Sequence, residues 1–94
     1  MRYVVFDLET QNTFSEVGSN NPADLDISVG CVYDSGTGAY TVVDISELNK
    51  LWPSIEHAEA LVGYNSNHVD IPLLNKYYPG DLTHIKSIDL LEDI

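Results

Sequence analysis

Tyr3-Val4-Val5-Phe6 puts four large apolar or aromatic side chains on consecutive positions, with Asp7 and Leu8 directly after them. Successive strand residues point to opposite faces, so an unbroken run of this kind makes both faces of a strand apolar. The segment Arg2 to Leu8 is therefore expected to be a central strand covered on two sides, and the rest of the chain must build layers around it. The run ends abruptly in charge, at Asp7 and Glu9.

Thr10 to Asp26 is polar, with Gly18, Ser19, Asn20, Asn21 and Pro22 at its middle, and reads as a long loop without regular structure, the kind that is usually functional or mobile. Two strand-like runs follow, Ile27 to Tyr33 and Tyr40 to Val43, joined by Asp34-Ser35-Gly36-Thr37-Gly38, which carries the Gly and Asp of a hairpin connection. From Asp44 the apolar period becomes helical through Ile45, Leu48, Leu51, Trp52 and Ile55. Asp44 and Glu47 resemble a capping box, and Pro53 is expected to kink or restart the helix. Leu61 to Tyr64 reads as a short strand, Asp70 to Tyr78 as a helix with Pro72 in its first turn, and Ile85 to Leu91 as a last strand running into a helix start. The order β-β-β-α-β-α-β contains a strand-helix-strand crossover, which predicts an α/β domain with a mixed sheet: three antiparallel strands, then a parallel part.

Ninety-four residues form one small domain, 1–94, with little core to spare. At 44% hydrophobic and 20% charged residues the chain is globular in composition, and no apolar run approaches the roughly 20 residues of a membrane span. Met1-Arg2-Tyr3 leads straight into a strand without a secretory signal, which favours the cytoplasm. A lone Cys31 among Val29, Val32 and Tyr33 reads as a small buried hydrophobe. Fifteen Asp and Glu against four Lys and Arg give a net charge of −11, which repels nucleic acid. A protein of this charge that handled phosphodiesters would need bound divalent metals, or a basic surface lent by a larger assembly.

Two pieces of sequence carry chemistry. Asp7 and Glu9, two apart at a strand end, share one face, and such a pair next to a core calls for raised pKa values or a bound cation; clustered oxygen donors suit Mg²⁺ or Mn²⁺. Two solvent-facing carboxylates fit the same spacing. Asp70 heads the helix after the fourth strand and, in a mixed sheet, would face Asp7 and Glu9 across a strand-end crevice. A plain helix cap fits Asp70 equally well.

Phe6-Asp7-Leu8-Glu9-Thr10 resembles the first motif, and Gly63 to Asp70 the second, of the DEDD 3′-to-5′ exonuclease superfamily, which includes the proofreading exonuclease domains of family B DNA polymerases and several stand-alone nucleases. The two motifs occur in the right order, and the resemblance covers essentially the whole chain. It implies a ribonuclease H-like fold and a catalytic metal site on Asp7, Glu9 and Asp70 that takes two Mg²⁺ or Mn²⁺ ions. Thr10 and Asn65 would face the terminal nucleotide, and Leu8 would offer its backbone and an apolar wedge to the terminal base. The implied partner is the 3′ end of single-stranded DNA or RNA. The family also needs a final Asp, preceded by a His or Tyr, on a helix after the last strand. Asp89 belongs to the strand end and neither it nor Asp93 has such a helix, so the resemblance implies an incomplete, C-terminally truncated site with little or no activity. Val69 stands where the family usually has Phe.

A second reading is a non-catalytic binding or assembly module that keeps the fold without the chemistry. A sugar-kinase or actin-like reading fails because Glu9-Thr10-Gln11-Asn12 has no Gly-rich phosphate turn. His57, His68 and His84 lack zinc-type spacing, with His68 at best a phosphate contact, and Asp24-Leu25-Asp26 lacks the pattern of an EF-hand and reads as solvated. Tyr77-Tyr78 is expected to put one ring in the core and the other at its rim. A sheet face or edge left uncovered by the missing helices predicts a homo-oligomer.

Overall fold

In the computed structural model, which describes residues 1–92, Tyr3–Thr10 (β1) is the middle strand of a five-stranded sheet. On one side Ile27–Asp34 (β2) pairs antiparallel with β1, and Ala39–Asp44 (β3) pairs antiparallel with β2. On the other side Ala60–Gly63 (β4) runs parallel to β1, and Lys86–Asp89 (β5) runs parallel to β4. The order β3-β2-β1-β4-β5 is the mixed sheet expected from the sequence, with the antiparallel part built first and the crossover adding the parallel part. The parallel pairing matters for the site, because it places the C-terminal ends of β1 and β4 at the same edge of the sheet.

The burial of β1 corrects the expectation of a strand covered on two sides. Val4, Phe6 and Leu8 are buried in the core, whereas Tyr3, Val5, Asp7 and Glu9, on the opposite face, are exposed. The inward residues of the sheet share one hydrophobic cluster with Leu48, Leu51, Ile55, Ile71, Leu73, Leu74 and Leu82 from the helical segments. Among the described residues the helical layer thus covers one face, and the other carries a tilted aromatic row, Tyr3, Tyr33 and Tyr40, with ring centroids 6.4 and 4.8 Å apart. An unbroken apolar run shows that both faces tolerate burial; it does not say that both are buried. Cys31 lies on this open face too, half-buried rather than in the core.

Between β3 and β4 the chain forms a 3₁₀ segment, Ile45–Leu51, that restarts as the helix Trp52–His57 at Pro53, so the proline acts where its missing N–H costs nothing. The Asp44 carboxylate accepts the Ser46 N–H at 3.0 Å, but Glu47 pairs with Lys50 at 2.9 Å instead of reaching back, so the cap is half of a capping box. The segment from Thr10 to Asp26 is also more ordered than its composition suggests. It holds a one-turn helix, Phe14–Val17, and a 3₁₀ turn, Pro22–Asp24, after which Leu25 is buried against the helix Asp70–Tyr77. Asp26, expected to be solvated, is half exposed and also accepts from Lys76 at 3.2 Å, Tyr77 at 3.3 Å and Asn12 at 3.3 Å; Lys76 first and Asn12 next hold its carboxyl below the usual range. Both Tyr77 and Tyr78 pack on the core, Tyr78 edge-on to Trp52 at 5.0 Å. Arg2 ties β1 to β2 through a two-pronged bond to the buried Asp34, at 3.0 and 2.6 Å, which holds that carboxyl well below the usual range. Among the described residues no helix is long and apolar enough to cross a membrane.

Candidate functional site

The alternation that buries Val4, Phe6 and Leu8 leaves Asp7 and Glu9 on the open face, at the C-terminal end of β1. Beside it, β4 ends at Gly63, and the turn Tyr64–Val69 leads into the third α-helix, α3 (Asp70–Tyr77), the shorter ones at Phe14–Val17 and Trp52–His57 being α1 and α2. Asp70 is thus the first residue of a helix that starts at the edge where β1 ends. Its carboxyl is pushed up to about 6, first because burial strips it of water, then through the negative charges of Asp7, Asp89 and Glu9. The three carboxylates singled out in the sequence therefore share one electrostatic environment. The ion pairs among the described residues join Arg2 to Asp34, Lys50 to Glu47, His68 to Glu92 and Lys76 to Asp26, and none involves Asp7, Glu9 or Asp70. Their mutual repulsion is left uncompensated by any fixed cation.

A hard divalent ion fits this donor set by chemistry: oxygen ligands, clustered negative charge, one carboxyl poorly solvated. As placed, no three His, Cys, Asp or Glu side chains among the described residues stand close enough together to hold a metal ion.

The turn before Asp70 is tightly held. Asn65 adopts a left-handed backbone, φ 54°, which Asn tolerates better than most residues. Its N–H and that of Asn67 are donated to the Asp89 carboxylate at 2.8 and 3.0 Å. Asp89 is fully buried at the end of β5 and also accepts the Leu91 N–H at 3.0 Å. Burial alone would raise its pKa; the N–H groups of Asn67, Leu91 and Asn65 outweigh that and leave it lowered. At the other side of the turn Ser66 is buried with its hydroxyl unpartnered, and it packs so close to Gly63 that a Cβ there would lie 2.6 Å from the Ser66 Cβ.

The remaining sequence-derived residues are placed less uniformly. Leu8 is part of the core, so its side chain is no wedge for a base and only its backbone remains available. The Thr10 hydroxyl is exposed and donates to the Asn12 carbonyl at 2.8 Å. His68 is 2.6 Å from a Glu92 carboxylate oxygen, which competes with a phosphate contact. Asp93 lies outside the described residues. Asp89 is the residue whose role sequence reasoning missed: it read as part of a strand end, and only the parallel pairing of β4 and β5, with Gly63 opposite Asp89, brings it under the turn.

No family model matches the sequence, and no curated protein matches it. Among solved structures, the family B DNA polymerase from the hyperthermophilic archaeon Pyrobaculum calidifontis is similar to this chain, with a TM-score of 0.59 and 26% identity. The likeness covers 81% of this chain and 10% of the polymerase chain, so it concerns a small part of a much larger protein.

Proposed function

We propose that this chain is a ribonuclease H-like domain of the two-metal 3′-to-5′ exonuclease type, with Asp7, Glu9 and Asp70 as its metal-binding and catalytic carboxylates. The observation that carries this reading is the desolvated Asp70 carboxyl under the charges of Asp7 and Glu9, with no ion pair among the described residues to balance them. The five-stranded mixed sheet is compatible with that fold, and the likeness to part of a family B DNA polymerase supports the reading. Two Mg²⁺ or Mn²⁺ ions held there would activate a water and stabilise the departing 3′ oxygen. The chain itself would hold the ions, and the Asn65 turn, the Leu8 backbone and Thr10 would border the terminal nucleotide of single-stranded DNA or RNA. These residues supply three of the four carboxylates of such a site, since Asp89 spends both oxygens on backbone N–H groups. Hydrolysis by this chain alone is expected to be weak or absent.

The open sheet face favours a second reading, a non-catalytic assembly module that associates with another copy of itself through Tyr40, Val42 and Val5. Calorimetric titration with Mn²⁺ separates the two. The exonuclease-type reading expects saturable binding that Asp70→Asn weakens at least tenfold; heats no larger than those of dilution in the unsubstituted protein would sink it.

A further inference from the structure

We propose that Asp89 is a positioning residue, whose buried carboxylate fixes the Asn65–Asn67 turn and so presents Asp70 to Asp7 and Glu9; the proposal rests on the metal-site reading above. The burial is complete and among the described residues no cation pairs with it, a costly arrangement unless the charge is otherwise satisfied. Here three backbone N–H groups do so: Asn65 and Leu91 donate to Oδ1 at 2.8 and 3.0 Å, and Asn67 donates to Oδ2 at 3.0 Å. Two of those donors belong to the turn that delivers Asp70. From the turn, rigidity passes directly into α3, because the Ser66 carbonyl accepts the Ile71 N–H at 2.8 Å and the Asn65 carbonyl accepts the Val69 N–H at 3.2 Å. Leu90 adds a bond to the Gly63 carbonyl at 2.8 Å, which pins the end of β5 to the root of the same turn. Replace either carboxylate oxygen by a donor, and the turn loses an acceptor that holds it; the first residue of α3 is then free to move relative to β1.

Asp89→Asn tests this, because it keeps the shape but turns an N–H₂ toward the Asn67 N–H. The full chain is measured by Mn²⁺ calorimetry and by amide hydrogen exchange. Val43→Ala, on the distant strand β3, serves as a control of comparable stability loss. The expected result is a loss of roughly tenfold in Mn²⁺ affinity, the low end of what supporting residues of metal sites cost. Faster exchange at Asn65 and Asn67 should accompany it, with neither change in Val43→Ala. Unchanged Mn²⁺ affinity in Asp89→Asn, or an equal loss in the control, overturns the positioning role while leaving the metal site intact. An unsubstituted protein that takes up no Mn²⁺ overturns both, and exchange at the turn then shows only whether Asp89 braces the fold. If Asp89→Asn does not fold, the unsubstituted protein decides: Asn65 and Asn67 amides exchanging as fast as open-loop amides refute the lock.

Discussion

Asp70 holds its proton more tightly in the folded chain than in the unfolded one, because its carboxyl is raised from 3.8 to about 6. The sign follows from linkage: between those two values the folded state binds more protons, so this group makes stability fall as pH rises through that window, and the penalty is complete above about 6. With solvent screening at the site's rim the penalty is on the order of 1 kcal/mol. Asp34 works oppositely, since its lowered pKa gives stability that is lost in acid. Thermal denaturation scanned between about pH 4 and pH 7 should show a decline that Asp70→Asn flattens, with Mn²⁺ restoring stability to the unsubstituted protein at the upper end. A slope identical in both proteins would refute the coupling. Asp7, Glu9 and Asp70 were legible in the sequence because each stands where an apolar run meets a polar turn. Asp89 stands at a similar junction, but its role depends on what lies opposite it in the sheet, which local pattern does not encode.

Between β4 and α3, close packing matters as much as charge. A Cβ on Gly63 would meet the Ser66 Cβ at 2.6 Å and a Phe6 ring carbon at 3.3 Å. Ser66 is fully buried and its position is tied to α3 through the Ile71 N–H, so it has little room to retreat. Gly63→Ala is expected to destabilise by about 1–3 kcal/mol, the usual cost of overpacking, and to weaken Mn²⁺ binding beyond that by shifting the turn. Ser66→Ala should not rescue it, because the clash is with the β-carbon and survives loss of the hydroxyl; Ser66→Gly should. Chemical denaturation of the single and paired variants reads this directly, and full rescue by Ser66→Ala would show that the hydroxyl, not the Cβ, sets the contact. Strand and helix positions could be read from period and punctuation: Pro53 restarts a helix, and Pro72 sits in the first turn of α3. The one-turn helix at Phe14–Val17 could not, since it depends on the Thr13 cap and on Phe14 and Val17 packing against the core.

At the scale of the whole molecule, two features oppose each other. The net charge of −11 keeps copies apart, while the sheet face opposite the helices exposes Tyr40 at 77% and Val42 at 66%, with Val5 and Tyr3 beside them. The register places Asp7, Glu9 and Asp44 toward one end of that face and Lys86 toward the other, so its middle is an uncharged strip through which a second copy can approach. The two effects respond differently to salt. Repulsion between surface charges is screened over roughly 10 Å at 0.1 M and 3 Å at 1 M, whereas apolar burial is not weakened by ordinary salts. Self-association through this face should therefore strengthen as salt rises, the reverse of an assembly held by ion pairs. Sedimentation equilibrium over a salt series is expected to show a growing dimer fraction. Val42→Lys should abolish that fraction by placing a charge in the middle of the strip without disturbing the opposite, core-facing side of β3. A monomer at every salt and protein concentration would refute self-association, and a dimer that dissolves as salt rises would move the contact to the charged surface instead. Divalent metal offers an independent check: Mn²⁺, if it binds at Asp7, Glu9 and Asp70 as proposed, would lower the negative charge at the rim of the same face and so promote association at concentrations too low to change bulk screening.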